Sequence, residues 1–259
     1  MRFSKSPLAS TSALAILAAV AGFACSSTVT GNGTGTDAGT PSDAATTSDA
    51  ATKPDTGTSC TTAKNQLLVP IAKSSTATVK IISDTNGTKT LFVDASVGGP
   101  QGVSTLPRVY LDLSKGTRVD IDDNAAETST DWDLSLKRPV IFTNGGEGGS
   151  GSGKAGYVDK DFDAVTAADE ASAKMGAEDF LDNDCNPVLD RIGNPATTFA
   201  DWYDYNEQTH VLTPFKHVYL VRGGTGKLYK VQIMSFYTNP DGSIATEGGG
   251  RFLLKVAAL

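Results

Sequence analysis

The chain has 259 residues, of which 20% are charged and 7% aromatic, and its 29 acidic residues outweigh 22 Lys and Arg to give a formal charge of −7. That balance argues against a nucleic-acid partner and against charge-driven binding to anionic lipid. With 2 histidines and 3 cysteines, there is little material for a His-rich metal centre or a Ser-His-Asp site.

Residues 1–24 read as a secretory signal. Arg2 and Lys5 form the charged start, and residues 8–23 form an apolar stretch too short to span a bilayer comfortably. It ends in Gly22-Phe23-Ala24-Cys25-Ser26, which marks Cys25 as the acceptor for a lipid anchor. Gly22 stands where a lipobox has an aliphatic residue, and ordinary cleavage after Ala24 is the alternative. Both routes export the chain, to the outer membrane or cell surface. The membrane contact is then through the lipid anchor alone, and the remainder is two charges more negative without Arg2 and Lys5.

Residues 25–59 hold the anchor cysteine and a Ser/Thr/Gly/Asp-rich linker. No aliphatic or aromatic residue other than Ala follows Val29 until the domain begins, so nothing there offsets the entropy of ordering. A flexible chain of this length reaches roughly 30 Å end to end, which suits a tether. Residues 60–259 are enough for one domain with a sizeable core. With Cys25 assigned to the signal junction, Cys60 and Cys185 remain as an even pair in an exported domain. We expect a disulfide between them.

Strand signals dominate the domain. Residues 66–72 and 76–82 are β-rich. Asn86-Gly87 then makes a tight turn, because both of its central positions favour positive φ, and residues 89–95 return as the partner strand. Residues 108–113 and 117–121 form a second pair. Trp132, Leu134 and Leu136 alternate with Asp133, Ser135 and Lys137, which buries one face of a strand. Residues 145–153, rich in Gly and Ser, read as a flexible loop. Residues 218–222 and 227–237 form a long hairpin with Met234 on its core face, and residues 251–256 are the last strand. The fold class is all-β, a single domain of antiparallel sheets with a protruding irregular insertion. That insertion spans about 155–200, and residues 167–181 are its one plausible helix, weakened by Gly176.

Two motifs are false leads. Gly148 to Lys154 spells G-x-x-x-x-G-K, but Ala155 stands where a P-loop needs Ser or Thr. Asp182-Asn183-Asp184 starts like a calcium loop, yet Pro187 replaces its obligatory Gly and Gly193 its final Glu. An irregular site from Asp179, Asp182, Asp184 and Asp190 is the residual possibility. No nucleophile, base and acid fall into an enzyme pattern, so a non-enzyme is expected.

Two longer blocks carry a resemblance. One is Asp131-Trp132-Asp133-Leu134-Ser135-Leu136-Lys137-Arg138 followed by Thr143-Asn144-Gly145-Gly146. The other is Trp202-Tyr203-Asp204-Tyr205-Asn206, Thr209-His210, Pro214 and Tyr219-Leu220-Val221-Arg222, then residues 226–237. In this order they resemble the HmuY-like family of haem-binding surface lipoproteins from Gram-negative bacteria, over roughly residues 60–259. The resemblance implies a β domain whose finger-like projections close over haem, taken up outside the cell and passed to an outer-membrane receptor. Iron in such a site takes His or Met, and this domain offers Met175, His210, His217 and Met234. The preferred pair is Met175 with His210, with His217 as a further cofactor-binding candidate. The path from His210 to His217 is short and stiffened by Pro214, which disfavours a bis-His pair. Tyr157, Phe162, Phe180, Phe199 and Trp202 are the aromatic rings available to pack a porphyrin, though each also suits a core. The alternative from another class is a cofactor-free surface module that binds protein or glycan through an exposed patch.

Overall fold

A computed structural model describes residues 60–259. The signal, Cys25 and the linker lie outside the described residues. Among the described residues, twelve strands form three antiparallel sheets. In chain order they are β1 (Val79–Thr85), β2 (Thr88–Asp94), β3 (Val109–Asp112), β4 (Thr117–Val119), β5 (Leu134–Lys137), β6 (Val140–Thr143), β7 (Lys154–Val158), β8 (Tyr203–Asn206), β9 (Val211–Pro214), β10 (Val218–Arg222), β11 (Leu228–Ser235) and β12 (Arg251–Ala258). The large sheet runs β1-β2-β12-β11-β10-β7, a second runs β4-β3-β5-β6, and β8-β9 is a hairpin. The all-β expectation holds, with little helix.

The main core lies between the two larger sheets. Val93, Val221, Val231 and Val256 of the large sheet share one cluster with Leu111, Leu134, Leu136 and Ile141 of the smaller one. Trp202, Phe199 and Phe252 complete it, each about 1% exposed or less. Full burial of a large apolar side chain stabilises by roughly 1.5–3 kcal/mol, so this cluster dominates the fold's energetics. The other face of the smaller sheet is covered too: Tyr110, Trp132, Phe142, Phe180 and Leu181 form a second cluster. Helix α1 (Thr61–Leu68) packs Leu67 and Leu68 against it. The disulfide joins Cys60, at the start of α1, to Cys185 with 5.2 Å between Cα atoms.

Four expectations need correction. Residues 66–72 are not a strand: helix α1 occupies the stretch to Leu68, ending in a left-handed Val69. Residues 167–181 form only a 3₁₀ turn at Ala167–Ala171. Beyond it, Gly176 exchanges two 2.9 Å backbone bonds with Ala155 of β7, and Glu178 is buried. Those long-range bonds override a moderate helical propensity. Met234 is 49% exposed: Val231, Ile233 and Ser235 face inward, which turns Met234 outward. The glycine run 145–153 is tightly packed. A Cβ on Gly153 would lie 2.4 Å from Asn144 backbone atoms, and one on Gly145 would lie 2.1 Å from Gly153 O. Fully buried Asn144 holds the run, with its Nδ2 donating to Ser129 O and Trp132 O and its Oδ1 accepting from Gly151 N. The predicted burial of one face of β5 holds, and Ser135 and Lys137 on the other face are buried as well.

Candidate functional site

The site is built where β7 and β10 pair at one end of the large sheet. Their register sets Tyr219 opposite Tyr157 and Val218 opposite Val158. One residue before β10, His217 lays its ring on Tyr157, with centroids 4.0 Å apart and planes 23° apart. Asp159, one residue past β7, accepts from His217 Nδ1 at 2.5 Å. Phe215 sits 5.2 Å from the imidazole and is 41% exposed. Below this layer Tyr219 stacks on Phe199 at 4.3 Å, and burial drives the Tyr219 phenol pKa well above its ordinary value.

The Asp159 contact has a chemical consequence. A carboxylate only accepts, so in the neutral ring the proton sits on Nδ1 and the Nε2 lone pair is left for an incoming group. Metal-ligating histidines are commonly braced in this way. The His217 side chain is 17% exposed against 77% for Asp159, so the ring is held yet reachable. Two open grooves are lined by its neighbours, though not by His217 itself. One, of about 680 Å³, includes Asp159, Lys160, Lys216 and Gln232. The other, of about 440 Å³, includes Tyr157, Ser172, Lys174 and Thr198.

The other nominated residues have other partners. His210 is exposed at the β8–β9 turn with φ +57, and its Nδ1 is 2.6 Å from Tyr205 Oη. A phenol can donate or accept, so that contact does not fix which nitrogen is free. Met175 is half-buried against a satellite cluster of Val158, Phe162, Val165, Val218 and Leu220 on the outer face of the large sheet. Among the aromatic candidates, Phe162, Phe180, Phe199 and Trp202 are core, and only Tyr157 borders the imidazole. Asp159 escaped sequence reading, because nothing in the chain links it to a residue 58 positions away.

The irregular segment after β7 is fastened to the sheet. Arg222 forks onto Glu170 at 2.5 and 2.6 Å, and Lys230 Nζ donates to Phe162 O and Val165 O. Glu178 is 3% exposed and accepts from Thr143 N and Oγ1 and from Thr198 N and Oγ1. Burial raises its pKa, and those hydrogen bonds partly offset the rise. In the loop beyond, Asp182 Oδ1 takes the amides of Asp184 and Asn186, and Asp190 Oδ1 takes those of Ile192 and Asn194. Among the described residues no three of His, Cys, Asp and Glu gather as a metal-binding group.

The profile of the HmuY protein family matches residues 105–247, over half of the chain. The chain belongs to the HmuY family. The matched stretch contains β7, the fastened segment, the β8–β9 hairpin and His217, so the candidate site lies wholly within the HmuY region. No curated protein matches the chain. Solved structures with a similar trace include the following three. One is a Bacteroides fragilis protein assigned as a lipoprotein, 18% identical, TM-score 0.42, covering 68% of this chain and 92% of its own. Another is a Bacteroides vulgatus protein assigned as HmuY-like and haem-binding, 14% identical, TM-score 0.41, covering 71% and 97%. The third is the apo HmuY analogue of Tannerella forsythia, 16% identical, TM-score 0.43, covering 68% and 99%.

Proposed function

We propose that this HmuY-family chain is a surface-tethered haem-binding protein. It captures haem outside the cell and hands it to an outer-membrane receptor, held to the membrane through a lipid on Cys25. The observation that carries the reading is the braced imidazole: His217 Nδ1 is committed to Asp159 at 2.5 Å, and the side chain stays reachable between Tyr157 and Phe215. With Nδ1 committed, the Nε2 of a neutral imidazole would be the atom to hold haem iron. Bound haem would supply iron to coordinate and an apolar ring to bury, and the protein would perform binding and release with no covalent step.

Of the residues nominated from sequence, His217 is therefore the first choice for the iron. Met175 and His210 remain candidates for the second position. As the second ligand, Met175 would make the fastened segment a clamp on the haem. One observation favours a second reading, a cofactor-free interaction module: the grooves beside His217 are open and partly charged, whereas cofactor pockets are mostly enclosed and apolar. A visible-spectrum haem titration of wild type beside His217→Ala separates the two readings. Saturation in the wild type alone supports haem, and non-saturating spectra in both support the module.

A further inference from the structure

Two Asn-Gly dipeptides among the described residues sit in opposite settings. Asn86-Gly87 forms the exposed tip of the β1–β2 hairpin, with φ of +51 and +78. Nothing lies within 4 Å of where a Gly87 side chain would begin. Asn144-Gly145 is the hub of the glycine run. Asn144 is 0% exposed, its amide donates at 2.8 and 2.9 Å and accepts at 3.1 Å, and Gly145 N is bonded to Thr143 O at 3.0 Å.

We propose that Asn86 is a site of spontaneous deamidation, and that the fold shields Asn144 from the same reaction. The Gly87 backbone nitrogen loses its proton and attacks Asn86 Cγ. A bond forms between that nitrogen and Cγ, the Cγ–Nδ2 bond of Asn86 breaks, and ammonia leaves, giving a five-membered succinimide. Water then opens the ring at either carbonyl, yielding aspartate or its β-linked isomer. No oxidant or reductant takes part.

Glycine leaves the attacking nitrogen unhindered. The turn must rotate out of its left-handed conformation for the ring to close, and a hairpin tip opens locally at small cost. At Asn144 the same rotation breaks the hydrogen bonds of a buried hub and pushes the backbone into Gly151 and Gly153, whose surroundings admit no extra atoms. The product at residue 86 adds a negative charge near the Asp84–Lys89 pair, whose separation is 3.8 Å. The β-linked form also inserts a methylene into a two-residue turn that sets the hairpin register.

The test is peptide mapping by mass spectrometry of the full folded protein, held in mildly alkaline buffer at physiological temperature and sampled over days. A parallel sample is kept in denaturant. The expected result is the amide-to-acid mass gain on the Asn86 peptide, about tenfold faster or more than on the Asn144 peptide, because core opening is far rarer than opening of a tip. In denaturant the two peptides should convert at similar rates. An Asn86 peptide that stays intact in the folded protein, or one that converts no faster than the Asn144 peptide, overturns the proposal. A third pair, Asn32-Gly33, lies outside the described residues and maps to a separate peptide.

Discussion

Asp159 and His217, 58 residues apart, meet in a 2.5 Å hydrogen bond that fixes the tautomer of the imidazole. If the ring is an iron ligand, the carboxylate matters although it touches no iron. Asp159→Ala should weaken haem binding by roughly 10- to 100-fold, the usual cost of losing such a brace. Tyr205→Phe, which removes the partner of His210, should leave haem affinity within about twofold if His210 is not the second ligand. Equilibrium titrations of both variants check the contrast.

Glu178 ties the end of β6 to residue 198 through four accepted hydrogen bonds. Removing the carboxylate leaves buried amides unpaired, so Glu178→Ala should destabilise by about 3 kcal/mol. The pKa direction sets a sign for pH. The folded value is raised by burial, so between the ordinary glutamate value and the raised one the folded state binds more protons. Stability contributed by this group falls as pH rises through that window. Glu178→Gln should lose that component of the slope, as read by urea unfolding at several pH values.

Lys137 is 3% exposed, and its Nζ makes no hydrogen bond to the described residues. The β3–β5 register, Val109 against Leu136, brings it beside the equally buried Arg108. Burial first, and the Arg108 charge second, push its pKa down to about 8. The unfolded lysine keeps its proton to higher pH. Stability should therefore rise with pH between about 8 and the ordinary lysine value. Lys137→Met should stabilise the domain at neutral pH by on the order of 1–3 kcal/mol and flatten that rise.

The Cys60–Cys185 bridge closes a loop with a separation of 125 residues. Loop-closure entropy alone assigns such a loop up to about 5 kcal/mol, and measured cases commonly give 2–4. The Cys60→Ser, Cys185→Ser double variant should lower the unfolding midpoint while keeping the far-ultraviolet circular dichroism of a β protein. An unchanged midpoint would mean that α1 is held by its packing through Ala63, Leu67 and Leu68 and by the Lys64–Glu127 pair.

Local signals in the sequence predicted much of the β architecture. The Asn86-Gly87 turn and the β10–β11 hairpin follow from turn chemistry and period-two alternation. The Cys60–Cys185 pairing followed from cysteine count and export. Long-range bonding was hidden. The 167–181 stretch has helical composition, but its backbone is claimed by Ala155 and its Glu178 by Thr143 and Thr198. Met234 was misplaced because alternation gives two faces and does not say which is inward. The glycine run looked flexible by composition, whereas its glycines are required by neighbouring backbone too close for a side chain. At the candidate site His217 was legible as a residue type, while its partners Asp159 and Tyr157 come from another strand.

The most direct test of the central claim is a haem titration of the purified protein, followed in the visible range, for wild type, His217→Ala, His210→Ala and Met175→Ala. The expected result is a sharp Soret band that saturates at one haem per protein molecule and is lost in His217→Ala. His210→Ala or Met175→Ala should alter the band only if that residue fills the second axial position. An undiminished band in His217→Ala would contradict the assignment of the ligand, and a featureless, non-saturating titration of the wild type would contradict haem binding itself.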